Sequence, residues 1–535
     1  MLYFLKFIDP NLSFMKTFTY LHLSLIFLCA FVLSSCGNKP GKEELGVISF
    51  EVKGAKEALP YFEKGMLLLH SFEYQDAAEN FNKARTIDPD FSMAYWGEAM
   101  TYNHSLWRFQ DYEKADSILT SLDATPEGRV GKADSEMEKE FIQGVNILYG
   151  KGDKLERDKT YAKYMEGLYK KYPGNDEVAA FYSIALIGSV PMGRDVKVYE
   201  KAAEVAKEIL ARNPRHPGAL HYLIHAYDDP DHAAKALNTA DEYAQVAPSA
   251  AHALHMPTHI YLALGMWDKV ISSNIASFAA SEKRIARKKL GVTNHNYHSF
   301  HWLMYGYLQV ENKEEAKNMV AKMEEYCKAF PSDQAREHLI LLKSTYLVDS
   351  EDWDKKIVDL SVKETDLNIV FRAMNYFVKG LYAYRNDNLK DLETSIDKLN
   401  LEKMIDKEKI SSKSVKMCGS VNTSIPNALD LQQSEVMELQ LKALLALLQS
   451  RQDDAENLMK KASDLEKSIS YAYGPPTIVK PSFEMYGEWL MEQGRPEEAL
   501  KQFELSLKAT PNRLLSVKGK SAAVELLSKK EVSRL

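Results

Sequence analysis

The chain has 535 residues, 45% hydrophobic and 27% charged, with a formal net charge of −7. That length exceeds what one hydrophobic core supports, so several folding units or one extended repeat array are expected. The mild acidity, without long runs of like charge, gives no electrostatic footing for nucleic acid, and Cys29, Cys36, Cys327 and Cys418 suggest no disulfide framework.

Residues 1–35 read as a secretory signal, with Met15 a better start than Met1. Lys16 precedes an apolar run from Leu21 to Leu33 and small residues up to Cys36. The run is short of a bilayer span, which argues against a membrane helix. Its ending, Leu33-Ser34-Ser35-Cys36, resembles the bacterial lipoprotein processing box. That resemblance implies that Cys36 is the lipidated first residue of the mature chain, palmitate-bearing and held at the cell envelope, on the periplasmic or surface side of the outer membrane. Membrane contact is then through the lipid alone, and residues 36–54 are the lipidated cysteine and a polar tether.

Two distant stretches share one pattern. Residues 61–89 carry Tyr61, Gly65, Leu68, Ala77, Phe81, Ala84 and Pro89; residues 483–511 carry Phe483, Tyr486, Gly487, Leu490, Gly494, Ala499, Phe503 and Pro511. Gly or Ala is needed where two helices approach closely, the aromatic fills the gap between helix pairs, and Pro stops the second helix. Between them, Pro214 and Pro248 lie 34 residues apart, preceded by Ala202 and Ala236, which is the tetratricopeptide period. Weaker units run over 300–323, 376–396 and 439–462. On these residues the chain resembles the tetratricopeptide repeat superfamily, which implies an all-α solenoid (α-α superhelix) of helix–turn–helix pairs. The stretches AYWGEAMTYNHSLW, HYLIHAYDDP and HALHMPTHIYLALGMWD are also similar to a large group of bacterial tetratricopeptide proteins, a likeness that implies fold and not chemistry.

The expected organisation is an N-terminal solenoid over 55–345 and further helical repeats over 346–535. Three stretches interrupt it. Residues 282–296 read as a helix end and connection, and 407–430 as a Ser- and Asn-rich loop. Residues 471–483, with three prolines, read as an extended connector that could cap a groove, with Lys480 a possible contact.

Ten of the fourteen histidines fall between His216 and His301. Counted within each repeat, His221 and His225 occupy positions five and nine. In the next unit His252, His255 and His259 occupy two, five and nine, and in the following one His298, His301 and Tyr305 do so. Asp228 and Asp229 extend the stripe at twelve and thirteen, and Trp96, Met100, Asn103 and His104 occupy it in an earlier unit. In the superfamily that stripe resembles the concave, ligand-facing surface.

Two functions follow. The leading one is a scaffold binding a protein, peptide or small ligand in the His-rich groove. The competing one is a metal-dependent enzyme or metal-binding protein, with His221, His225, His255 and His259 holding zinc or iron and Asp228 or Asp229 completing the shell, since histidines at i, i+4 offer two nitrogens to one ion. Pro257 is the residue that could break the stripe or bend it toward a ligand. No HEXXH, GxSxG or phosphate-binding glycine loop is present.

Overall fold

The computed structural model describes residues 44–191, 193–411 and 426–532. The signal segment, Cys36 and the tether up to residue 43 lie outside these residues, as does Cys418 with the greater part of the expected 407–430 loop. Among the described residues no helix is long and apolar enough to cross a membrane.

Helices follow one another as helix–turn–helix pairs: Leu59–His70 with Tyr74–Ile87, Asp176–Gly188 with Val196–Arg212, Ile369–Arg385 with Leu389–Ser411, Ala428–Leu448 with Gln452–Ser468, and Ser482–Glu492 with Pro496–Ala509. The array is an all-α solenoid of the tetratricopeptide type. Among the described residues the only strand pairing is Asn103–His104 against Phe109–Gln110, closed by a short 3-10 turn at Ser105–Trp107. Helix starts are fixed locally by polar caps. Asn175 accepts the Val178 N–H, Asp195 accepts those of Lys197 and Val198, and Ser135 with Glu138 forms a capping box.

The end repeats show how the pairs interlock. The Phe81 ring lies so close to Gly65 and Gly97 that a Cβ at either would sit 2.8 Å or 2.3 Å from it, and Phe503 relates to Gly487 and Gly519 at 2.9 Å and 2.3 Å. In both cases the aromatic lies sixteen residues after one glycine and sixteen before the other. The second helix of each pair thus drives a ring between its own first helix and the first helix of the next pair.

The buried apolar residues form two clusters, one from Leu45 to Tyr305 and one from Tyr297 to Phe503. They meet on the helix Tyr297–Gln309, which contributes Trp302 and Tyr305 to the first and Phe300 and Met304 to the second. The division expected at 345/346 instead falls inside the helix Asp333–Ser350, whose Leu342 and Leu347 are both buried in the second cluster.

The superhelix also closes on itself. The turn after Pro496–Ala509 reaches back to the middle of the chain, where the Trp267 Nε1–H donates to the Asn512 carbonyl at 2.9 Å. Arg513, 1% exposed, donates to Asp349 at 2.7 and 2.9 Å and to Glu484 at 2.9 and 3.2 Å. Its guanidinium is held charged by these two buried carboxylates, a geometry in which removing one partner is costly.

Gly97→Ala and Gly519→Ala should each lower unfolding free energy by about 1–3 kcal/mol through overpacking against the ring. Gly167→Ala, in mid-helix with nothing within 4 Å of the added carbon, should raise it by about 0.5–1 kcal/mol. Urea titration followed by circular dichroism reads both signs.

Candidate metal centre

Three successive segments supply the histidines. His216 starts the first, its Nδ1 accepting the Ala219 N–H at 3.1 Å with Pro217 in the first turn, and the helix Pro217–Ala226 carries His221 and His225. The carbonyls of His225 and Ala226 at its end accept from Arg194 at 3.3 and 2.8 Å, satisfying groups a helix terminus leaves bare. The second segment is two short helices, Ala251–His255 and Pro257–Ala263, joined through Met256 in right-handed helical geometry. Pro257 interrupts the backbone ladder because it has no N–H, and the Thr258 hydroxyl donates to the His255 carbonyl at 2.7 Å. The proline therefore bends the segment without unwinding it. The third helix, Tyr297–Gln309, is capped by Asn296 and carries His298.

The side chains converge as two triads. Ligating nitrogens of His221, His225 and His252 lie within 4.8 Å of one another, and so do those of His255, His259 and His298. The triads adjoin, with ring centroids 5.1 Å apart between His225 and His259 and 6.0 Å between His252 and His255. The four histidines expected to share one ion are thus divided between two groups, each completed by a position-two histidine. The residues are enclosed rather than groove-lining: His221 and His255 are 0% exposed, His225 5% and His259 3%, with His252 and His298 half-buried.

Hydrogen bonds settle which nitrogen faces inward. His221 Nδ1 lies 2.7 Å from the His70 carbonyl, His225 and His259 Nδ1 lie 3.2 and 3.1 Å from Oδ2 of Asp228, and His255 Nδ1 lies 2.7 Å from Oδ1 of Asn274. The Asn274 amide is oriented by its own NH2, which donates to the Val270 carbonyl at 2.9 Å. Each partner can only accept, so each Nδ1 carries the proton and each Nε2 presents a lone pair. Among the described residues the buried Nε2 atoms of His221, His225, His252 and His255 have no hydrogen-bond partner. Bare buried acceptors cost about 1–3 kcal/mol each, and an oriented imidazole with a free inward nitrogen is the arrangement metal ligation requires. Burial holds His221, His252, His255 and His298 well below their ordinary value and His259 down to about 4, so all five are neutral at pH 7.

A different buried group is fully spoken for. His216 donates Nε2–H to Glu177 at 3.2 Å, and His70 uses Nε2 on Glu177 at 2.8 Å and Nδ1 on the Tyr222 hydroxyl at 2.9 Å. With its nitrogens paired, this cluster is a polar support beneath His221 and not a ligand set.

Several residues expected on the stripe lie elsewhere. Trp96 is core, packed edge-on to Phe50, Phe141 and Phe181. The helix carrying it ends at Met100, so His104 sits in the two-residue strand and stacks on Tyr74 at 3.8 Å. Asp228 is not aimed at the lone pairs, because one oxygen takes the two Nδ1–H groups and the other pairs with Arg194. Asp229 pairs with Arg194 at 3.2 Å and His232 at 2.8 Å. His301 hydrogen-bonds Thr345 at 3.1 Å, and the Tyr305 hydroxyl accepts from Arg513 at 3.3 Å.

Sequence reasoning offered the connector as a cap and missed the aromatic wall formed by Phe72 and Trp302. Phe72 packs on His221 at 4.2 Å and His252 at 5.7 Å; Trp302 packs on His255 at 4.8 Å and His259 at 4.6 Å. The proline-rich connector lies across the top, Tyr473 meeting His259 at 4.9 Å and His225 at 6.1 Å, and Gly474 passing so close that a Cβ there would sit 2.6 Å from the Trp302 ring. Lys480 pairs instead with Glu484 at 3.0 Å and Glu488 at 2.5 Å. Trp107, 40% exposed, reaches His252 at 5.8 Å and marks the open side.

No known family model matches the chain, and no curated protein is significantly similar to it. Among solved structures it is similar to yeast Tom70, at 14% identity over 89% of this chain and 90% of that one, with a TM-score of 0.31. Cut9, from the Cut9–Hcn1 hetero-tetramer of the APC/C, matches at 10% identity over 89% and 78%, TM-score 0.37. A human IFIT1 dimer with PPP-AAAA matches at 12% identity over 89% and 96%, TM-score 0.36.

His301 gives a pH test that leaves the triads alone. Burial holds it down to about 3 against an ordinary 6.5, so the unfolded chain takes its proton more readily than the folded one. Its contribution is complete above pH 6.5 and is lost as pH falls toward 3, amounting to about 2 kcal/mol at pH 5. The drop in unfolding free energy between pH 7 and pH 5, measured by urea titration, should shrink by about that amount in His301→Gln.

Proposed function

We propose that the protein is a ligand-binding scaffold whose principal ligand is a transition metal, held by His221, His225 and His252 on one side and His255, His259 and His298 on the other. The observation that carries this reading is the set of four buried Nε2 atoms without a hydrogen-bond partner, three of them, on His221, His225 and His255, turned inward by a hydrogen bond at the opposite ring nitrogen. An open groove gripping a peptide would expose these rings; they are enclosed by aromatic side chains instead. Imidazole donors suit zinc, copper, iron and nickel, and three ligands per ion leave a coordination position for a small molecule.

The processing box before Cys36 supports a lipid-anchored protein of the bacterial cell envelope with no other membrane contact. The net charge of −7 supports the absence of a nucleic-acid partner.

Chain purified without an affinity histidine tag should carry transition metal by elemental analysis, and His221→Ala combined with His255→Ala should remove it while helix content by circular dichroism persists. A well-folded wild-type chain that takes up no metal would overturn the reading. Separately, Cys36→Ser should abolish labelling by a palmitate analogue in cells.

A further inference from the structure

We infer that the two triads hold a pair of copper ions sharing one small anion, resting as Cu(I) when that anion is absent; this rests on the metal-binding reading above. Charge is the first argument. All six ligands are imidazoles, which bring no negative charge to an ion. The carboxylate between the triads, Asp228, is offset by Arg194 and already accepts from His225 and His259. Asp229 shares the same Arg194 at 3.2 Å, Glu177 takes His70 and His216 behind the first triad, and Glu73 accepts the His252 backbone N–H at 2.9 Å. Two divalent ions would therefore bring four positive charges onto ligands that carry none, behind a wall formed by Phe72, Trp302 and Tyr473 and with each nearby carboxylate already engaged by a donor. Uncompensated charge is expensive in such surroundings. Two monovalent ions halve the load, and copper is the imidazole-binding metal with a stable monovalent state.

Coordination number agrees. Zinc is almost always four-coordinate, whereas Cu(I) is satisfied by three nitrogens, the number each triad offers. Position is the third argument. His225 and His259, one from each triad, donate to the same Asp228 oxygen at 3.2 and 3.1 Å. That common acceptor fixes the two rings 5.1 Å apart and sets the triads face to face. When each ion loses one electron, the added charge calls for an anion, and one placed between the triads serves both ions.

The mature chain is loaded with Cu(I) under anaerobic conditions in the presence of equimolar Zn(II), cleared of excess metal, and oxidised with two equivalents of ferricyanide, each taking one electron. Azide is then added as the bridging probe. Two coppers per chain, loss of most of the Cu(II) paramagnetic resonance signal through coupling across the shared anion, and a new azide-to-copper absorption band are the expected results. His298→Ala and His252→Ala, each breaking one triad at a half-buried ligand, should bind one copper and show a full mononuclear signal.

Two coppers with full, uncoupled resonance intensity would overturn the shared anion. Zinc filling both triads in preference to copper would overturn the metal assignment while leaving the metal-binding reading standing. A folded chain that binds neither metal would remove both.

Discussion

The hydrogen bond at Nδ1 is the interaction on which the centre depends. A neutral imidazole has one proton and one lone pair, and whichever nitrogen donates decides where the other points. The His70 carbonyl, the Asp228 carboxylate and the Asn274 amide oxygen each accept a hydrogen bond from the outward nitrogen of a histidine. Had these oxygens been donors, the inward nitrogens would carry protons and repel a cation. The supporting residues are themselves held: His70 by Glu177 and Tyr222, Asp228 by Arg194, and Asn274 by its own helix. Orientation is therefore built in layers outward from the lone pairs.

Enclosure comes from a different part of the chain. A tetratricopeptide array left open would show its inner face to water. Here the closing turn is pinned through Arg513, whose Nη2 also reaches the Val479 carbonyl of the connector at 3.4 Å. That connector carries Tyr473 and Gly474 over the histidines. Burial in turn keeps the rings of His221, His252, His255, His259 and His298 neutral, so the interactions that close the superhelix also act on the histidines within it.

The repeats were legible because their signals are local and recur: the 34-residue proline spacing, the glycine followed by an aromatic in the first and last units, and histidines at fixed places within each unit. The same counting placed seven histidines on a common stripe, of which six converge as two triads while His301 turns to Thr345. Counting does not give the angle between successive helices, which is what parts His221 and His225 from His255 and His259. Nor does it reach partners brought from afar. Arg194 lies in a turn two units before the second triad and carries no mark in the sequence; Tyr473 lies more than two hundred residues beyond His259, where the prolines mark a connector but not the ring that meets the histidines. Trp96 and His104 were misplaced because the helix Ser92–Met100 is shorter than a standard first helix and its outer face is covered by aromatic core. Pro257 pointed correctly to a break in the helix, and the Thr258 hydroxyl keeps that break from becoming a loop.

The single oxygen that accepts hydrogen bonds from His225 and His259 also removes a freedom that two separate sites would have. Donor strength at one triad depends on how much negative charge that oxygen lends its histidine, and whatever one ring draws the other loses. Arg194, drawing on the opposite oxygen of the same carboxylate, acts on both rings together. The two halves therefore cannot be adjusted one at a time through this carboxylate: a substitution at position 194 or 228 retunes them jointly.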